Sequence, residues 1–481
     1  MRTTPSPGPS FFWKMGGIIA LTLLVRLSLF LAGAPWDPVK AQQVYLKADP
    51  GRYHQLALNL IRTGQYIFRP DKTDPEQISK AQADPKLWRL PGEPEALWPP
   101  LYSLFIAGIY LVAGVQIAFV LLAQIILSSV VVWLLALLAL RLFNSERIAL
   151  FTAFLFAIEP TMILLPNIMY SDFIFILFLS IFYFAFVKQV LALLFHSDFQ
   201  SLGWGFVGGL SLGLAAMTHA RGTILLPVVL LVLLFICREI PWRRRLLAAA
   251  LALVGYFAGT GYWYWRNYRV FGELAFSTAA SYNLLMGTHM VAPVETREES
   301  IEWVFRQARL HMESKGDPLH MNPFERAHAW RETALRLIRE HPFEYFRAHL
   351  KRVLTVAFIP GTSEYAAILG KESSAAQQYK LKEARLPQMN FLRWAIFLGT
   401  LLITLFVYGT GMIGLLKSNR SMPKSINWLV GIIFAIILLT SVSSTHPRMR
   451  APALLLILPY SSAGYFVIKD RVSSLLHRRR E

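Results

Sequence analysis

The sequence predicts an all-α polytopic membrane protein. Three observations predict it: of the 481 residues 55% are hydrophobic and only 16% charged, apolar runs of membrane-spanning length recur along the chain, and Lys and Arg gather in the short loops between those runs. An ordinary soluble domain carries about a quarter charged residues, whereas a span needs about 20 apolar ones in succession. The formal net charge of +19 is therefore read as topology, because loop cations orient helices against a membrane. Nucleic-acid binding is excluded on the same ground. The one cysteine, Cys237, ends an apolar run, cannot form a disulfide within the chain and is assigned to packing.

Ten spans are expected, near 13–34, 116–140, 148–165, 173–192, 203–219, 223–237, 246–265, 391–416, 426–443 and 451–468. The first follows a basic start and ends in Ala32-Gly33-Ala34. Arg26 inside it and Pro35 after it favour an uncleaved span over a signal peptide. Basic loops recur at Arg2 and Lys14, Arg141 and Arg147, Arg238 and Arg243 to Arg245, Lys417, Arg420 and Lys424, and Lys469, Arg471 and Arg478 to Arg480. They are assigned to the cytoplasm. Residues 99–114 open with two prolines and offer about 14 apolar positions, short of a span; they are read as an interfacial or re-entrant helix. Residues 343–361, with a basic face and a short apolar tail, are read as a helix on the membrane surface.

The frame divides the chain into an N-terminal transmembrane catalytic module (1–267, with an outer loop at 35–115), an outer helical region (268–390) and a C-terminal transmembrane part with a basic tail (391–481). Within 290–350 the charge pairs suit solvated amphipathic helices, a small cap. The frame also puts the unusual polar residues on one side of the membrane. They are Asp49, Asp172, His219, Arg221, Arg266, Asn267, His446, Arg448 and Arg450. One arginine at a helix end can snorkel to lipid headgroups. Several, facing two acids from separate loops, point to an anionic ligand, since guanidinium bonds phosphate through two donors at once.

Each motif has an ordinary reading beside a chemical one. Asp49 in Ala48-Asp49-Pro50-Gly51 marks a helix start, where an acid caps the first turn; at a lipid boundary the same carboxylate would serve as a base. Tyr53, Leu56, Ala57 and Leu60 continue that helix as an amphipathic surface. Asp172 heads an apolar helix and pairs with its dipole, or faces the same cavity as Asp49. With Glu93 and Glu95 nearby in sequence, the acids would hold an acceptor or a divalent ion, although no spacing among them is diagnostic of a ligand set. His219 and His446 lie in separate corners without helical metal spacing. The Trp and Tyr residues of 262–268 read as an interfacial belt. A P-loop, a dinucleotide fingerprint and a defensible internal repeat are all missing from the sequence, which argues against an ATP-driven pump.

In order along the chain, Asp49, Tyr53, Ala57, Asn59, Leu60 and Gly64, then Pro99 to Tyr102, then Glu159, Pro160, Ser171 and Asp172, then the block 265–287 and finally 448–452 resemble bacterial GT-C glycosyltransferases. These are related to dolichyl-phosphate-mannose protein mannosyltransferases and lipid A aminoarabinose transferases. The resemblance spans nearly the whole chain and is most specific in Arg266-Asn267-Tyr268-Arg269-Val270-Phe271-Gly272. It implies a GT-C transmembrane bundle with interfacial helices, and a polyprenyl-phosphate sugar as donor and co-substrate. It further implies a bacterial inner-membrane location with the site facing out, and an acceptor that is a glycan, lipid or protein. Asp49 becomes the general base and Asp172 the second-loop acid. Donor phosphate falls first to Arg266 and Arg450, then to Arg221 and Arg448, with Tyr53, Tyr102, Asn267 and His446 lining the cavity. Two departures stand out: Thr218-His219-Ala220-Arg221-Gly222 replaces an expected Thr-Arg-Pro, and Pro50 follows the first acid where many relatives carry a second. Competing readings are a flippase for anionic lipids, which would show broken helices in repeated halves, and a polymerase or ligase using diphosphate-linked glycans.

Overall fold

The computed structural model describes residues 7–67, 92–195, 198–294, 296–370, 391–417, 423–440 and 446–478. Arg2, Arg420, Arg479 and Arg480 lie outside them, as do 68–91 and 371–390 of the two predicted outer regions. Among the described residues there are helices and one isolated antiparallel bridge, Ile67 to Pro94, so the all-α expectation holds.

Six helices are long and apolar enough to cross a membrane: α1 (Pro9–Gly33), α4 (Ile117–Phe143), α7 (Asp172–Phe195), α10 (Trp242–Phe271), α16 (Phe391–Lys417) and α18 (Ala451–Arg478). Three further expected spans are shorter apolar helices, within α8 (Asp198–Thr218), α9 (Gly222–Leu231, extended by a wide turn to Ile236) and α17 (Lys424–Leu439). The run 148–165, expected as one span, is broken. α5 (Glu146–Ile158) stops and α6 (Pro160–Leu164) leaves at 62°. Pro160 cannot continue the ladder, and Glu159 caps the new helix by accepting from Met162 N–H at 2.8 Å.

A helix end inside an apolar bundle leaves carbonyls without partners. Arg26, fully buried on α1, supplies them: its guanidinium donates to the carbonyls of Phe156, Ala157 and Met162 and to Thr22 on its own helix. The charge that interrupts the first apolar run is thus a clamp on the break.

α8 packs along both α7 and α10. At the α8–α10 crossing Gly209 and Gly255 bring main chains into contact; a Cβ on Gly209 would strike the Ala252 carbonyl, and one on Gly255 the Phe206 carbonyl. Small residues at such crossings replace the hydrophobic drive that lipid cannot supply. One large apolar core runs through the bundle.

On the other side of the sequence midpoint, α11 (Ala279–Gly287), α12 (Arg297–Glu313) and α13 (Pro323–Glu340) close a second, small core on Leu285, Phe305, Met312 and Trp330. α14 (Pro342–Phe358) follows and exposes Phe343, Phe346, Leu350 and Leu354, three or four residues apart and so on one face. α15 (Thr362–Leu369) then returns to the bundle, where the Tyr365 hydroxyl donates to the Pro160 carbonyl at 2.6 Å. Two helices complete the site side: α2 (Asp49–Thr63) and α3 (Leu101–Ala113), joined by the His54–Tyr110 hydrogen bond at 2.7 Å.

Candidate active site

The site forms where α7, α9 and α18 begin and α8 ends. Its centre is Arg448, on the single turn Pro447–Arg450 that leads into α18. One guanidinium nitrogen donates to Asp172 Oδ2 at 3.0 Å and the other to Asp49 Oδ2 at 3.1 Å. The Tyr170 ring lies against the guanidinium carbon, 3.6 Å from centroid to carbon, a cation–π contact.

The two acids differ sharply. Asp172 is 1% exposed and Asp49 41% exposed, with Arg448 between them at 10%. Asp172, at the first turn of α7, is held by the cation and the helix dipole. Asp49 keeps much of its carboxylate open. It is the first residue of α2, and Ala48 before it takes φ 57° and ψ −126°, a conformation costly for a residue with a Cβ. The surrounding fold therefore pays to aim Asp49.

Tyr53, one turn along α2, shares a hydrogen bond of 3.1 Å with Ser171 and packs edge-on to Tyr102 at 4.9 Å. Burial, then the nearby Asp49 carboxylate, pushes the Tyr53 phenol up, so it stays neutral. Tyr102 in turn donates to Gln124. On the far side Arg221 donates to the Met449 carbonyl at 3.2 Å and contacts the Met449 sulfur. His219 accepts from the Arg221 N–H through Nδ1. Burial, then the neighbouring Arg221, brings the His219 imidazole down to about 4. His446 caps the Arg448 turn and pairs with Glu364 at 3.2 Å.

Of the predicted residues, the structure brings together Asp49, Asp172, Arg221, Arg448, Tyr53, Tyr102 and His446. It places five others elsewhere. Arg450 is fully buried, donating to the Ala357 carbonyl at 3.0 Å and to Thr161 Oγ1 at 3.2 Å. Arg266 donates to the Glu95 carbonyl and to Asn267 Oδ1, and stacks near Trp263. Asn267 donates to the carbonyls of Ala275 and Phe276. The block that most resembled known transferases is thus a scaffold that pins the loop at 95–98, joined by the Ser277 hydroxyl donating to the Leu97 carbonyl. Arg266 and Arg450, the arginines expected first on phosphate, thus each donate to a main-chain carbonyl and to a neighbouring side chain, and Arg448 and Arg221 occupy the corner with Asp49. Glu93 pairs with Arg326 of α13, and Glu95 turns back on the Leu97 and Trp98 N–H groups.

The acids thus do not converge as a divalent-ion cage. Among the described residues no group of three or more His, Cys, Asp or Glu is placed to hold a metal. Asp49 and Asp172 direct an oxygen each at a guanidinium, and Glu364 is turned to His446. This donor set suits the arginine already in it. Glu364, Tyr170 and Ser171 were not singled out as site residues from the sequence, although Glu364 is the lone acid in an apolar stretch after a surface helix, a signal that was present.

The polar corner is thus assembled in an all-helical bundle from the turns that precede α2, α7, α9 and α18. Residues 98–265 match the family described as dolichyl-phosphate-mannose-protein mannosyltransferase. The archaeal oligosaccharyltransferase AglB from Archaeoglobus fulgidus, solved with an inhibitory peptide and a dolichol-phosphate, aligns over 98% of this chain with a TM-score of 0.53 and 13% identity. The chain spans 52% of that protein's length. A second structure of the Archaeoglobus fulgidus oligosaccharyltransferase, with Zn and sulfate, gives a TM-score of 0.51 at 13% identity over 95% of this chain and 49% of its own. ArnT from Cupriavidus metallidurans, bound to undecaprenyl phosphate, aligns over 93% of this chain and 78% of its own with a TM-score of 0.42 and 15% identity. No curated protein sequence matches the chain.

Proposed function

We propose that this protein is an inverting glycosyltransferase that moves a sugar from a polyprenyl-phosphate donor to an acceptor at the outer face of a bacterial cytoplasmic membrane. The observation that carries the reading is the pairing of a half-open carboxylate, Asp49, with a guanidinium that a second, buried carboxylate holds in place. A structural ion pair has no need of an exposed acid on a strained corner. The match to the mannosyltransferase family supports the donor class, and the basic loops support the orientation.

In the reaction, the donor phosphate approaches Arg448 and Arg221. It displaces the exposed partner, Asp49, while Asp172 stays on Arg448. Asp49 then takes the proton of the acceptor hydroxyl or amine, whose lone pair attacks the anomeric carbon. The bond from that carbon to the phosphate oxygen breaks, and the electron pair leaves with the phosphate, opposite the attacking face. The configuration inverts. A phosphate leaving group needs little protonation, so one acid suffices where hydrolytic glycosidases use two. A positioned cation on the developing charge contributes about 3 kcal/mol in a water-poor site.

The test is incubation of the purified protein with synthetic polyprenyl-phosphate sugars and candidate glycan, lipid and protein acceptors. Transfer by wild type that falls by about 10² to 10⁴ in Asp49→Asn is the expected result. Lipid movement between leaflets without bond cleavage would replace this reading with a flippase.

A further inference from the structure

We infer that Glu364 and His446 form a positioning pair that sets the orientation of Arg448 from outside the catalytic corner, and so couples α15 to the transfer step. This inference rests on the reading of the protein as a lipid-phosphate-sugar transferase.

Arg448 is the second residue of a four-residue turn, too short to fix a long side chain by its own hydrogen bonds. His446 supplies the cap. Its Nδ1 accepts from the Arg448 N–H at 3.2 Å, which requires Nδ1 to be bare, so the neutral ring carries its proton on Nε2. That nitrogen faces Glu364 Oε1 at 3.2 Å. The other carboxylate oxygen of Glu364 accepts from the Ser363 hydroxyl at 2.7 Å. Both Glu364 and His446 are 12% exposed, and a charge-assisted bond is stiffer when partly withdrawn from water.

The carboxylate is itself held. α15 starts after Gly361, whose φ is 69° and whose added Cβ would press on the Pro447 ring at 3.0 Å. The next residue after Glu364, Tyr365, is tied to the Pro160 carbonyl. α15 is therefore wedged against the Arg448 turn on one side and the α5–α6 break on the other. The His446 ring also lies 5.6 Å from the Tyr170 ring that supports the guanidinium. Arg448 is thus framed by two carboxylates at its tip, an aromatic ring at its face and the Glu364–His446 pair at its root. Tilting the root by a fraction of an ångström moves the tip, and misplacement of about 1 Å at a reacting group costs about 10² in rate.

The experiment uses the full chain in nanodiscs, with two readouts: binding of undecaprenyl phosphate, and transfer from polyprenyl-phosphate sugars. Glu364→Ala is expected to lower kcat by about 10- to 100-fold, with the acceptor KM within about twofold, and to weaken lipid-phosphate binding severalfold. Glu364→Gln, which keeps an acceptor for Nε2–H, restores kcat to within about fivefold of wild type. His446→Asn keeps a capping oxygen for the Arg448 N–H but loses the tether, and should match Glu364→Ala. The double variant Glu364→Ala/His446→Asn should be no worse than either single one, the signature of coupled residues. Additive losses, or a Glu364→Ala enzyme within twofold of wild type, overturn the pair. If wild type binds the lipid phosphate but transfers no sugar, the transferase reading falls, while the binding arms still decide the positioning role. A wild type that neither binds nor transfers overturns both.

Discussion

Arg448 and Arg450 leave the same short turn and end in two different corners. Arg448 meets two carboxylates, one of them 41% exposed. Arg450 enters a sealed corner with Arg26, Glu159 and Thr161, where every one of those side chains is buried and the guanidiniums are spent on carbonyls at the α5–α6 break and in α14. Both corners hold acids and arginines in an apolar surround. What separates them is the use of the donors: carbonyls that no water can reach demand a permanent partner, whereas a carboxylate at the edge can exchange one partner for another. The proposed chemistry is assigned to the corner whose pairing can be broken.

The largest test of that division is on the working corner. Asp49→Asn should lower kcat/KM by about 10² to 10⁴ while the melting temperature, followed in detergent, stays close to wild type, because a half-exposed ion pair contributes under about 1 kcal/mol. A matched loss of fold would merge the two corners. Next comes the sealed corner. Arg26→Leu strips the Phe156, Ala157 and Met162 carbonyls, and Arg450→Leu leaves the Ala357 carbonyl and Thr161 short of a partner; each should cost about 3 kcal/mol or more. The melting temperature should fall, and transfer per folded molecule should stay within about threefold of wild type. A folded Arg450→Leu protein with abolished lipid-phosphate binding would return Arg450 to the donor site.

Two smaller effects sharpen the comparison. Ala48→Gly relieves the φ of 57° and should raise stability by up to about 1 kcal/mol, while transfer falls a few-fold as Asp49 loses its fixed aim. His219 is held neutral, its imidazole brought down to about 4 by burial and by Arg221. Below about pH 6.5 the unfolded chain binds a proton that the folded one refuses, so stability is lost as pH falls from about 6.5 through 4. His219→Gln should flatten that part of a stability–pH curve; an unchanged curve would show the ring to be as free as an ordinary histidine.

The first-loop acid was legible because Asp49 opens an amphipathic helix just after a span, and the membrane class was legible from apolar runs alone. Which arginine shares a corner with Asp49 was not. Arg221, Arg266, Arg448 and Arg450 all sit near helix ends, and a sequence does not show which carbonyls nearby lack donors. On a turn of three residues per revolution, positions 448 and 450 point about 120° apart, so adjacent motif letters reach different corners. Glu93 and Glu95 part for a related reason: their spacing does not show which donors lie near, and Glu95 caps its own loop while Glu93 reaches α13. The break at Glu159-Pro160 was hidden because the apolar run continues through it.

The contact of Gly209 with Gly255 carries a mechanical consequence. Two helices whose main chains touch have no layer of side chains to compress, so α8 and α10 shift as a single plank. On the proposed function, a long isoprenoid chain that needs a slot in the protein's flank would open it along a seam cushioned by flexible side chains. A bulky residue at position 209 would pry the plank apart and thereby narrow the seams on either side of it.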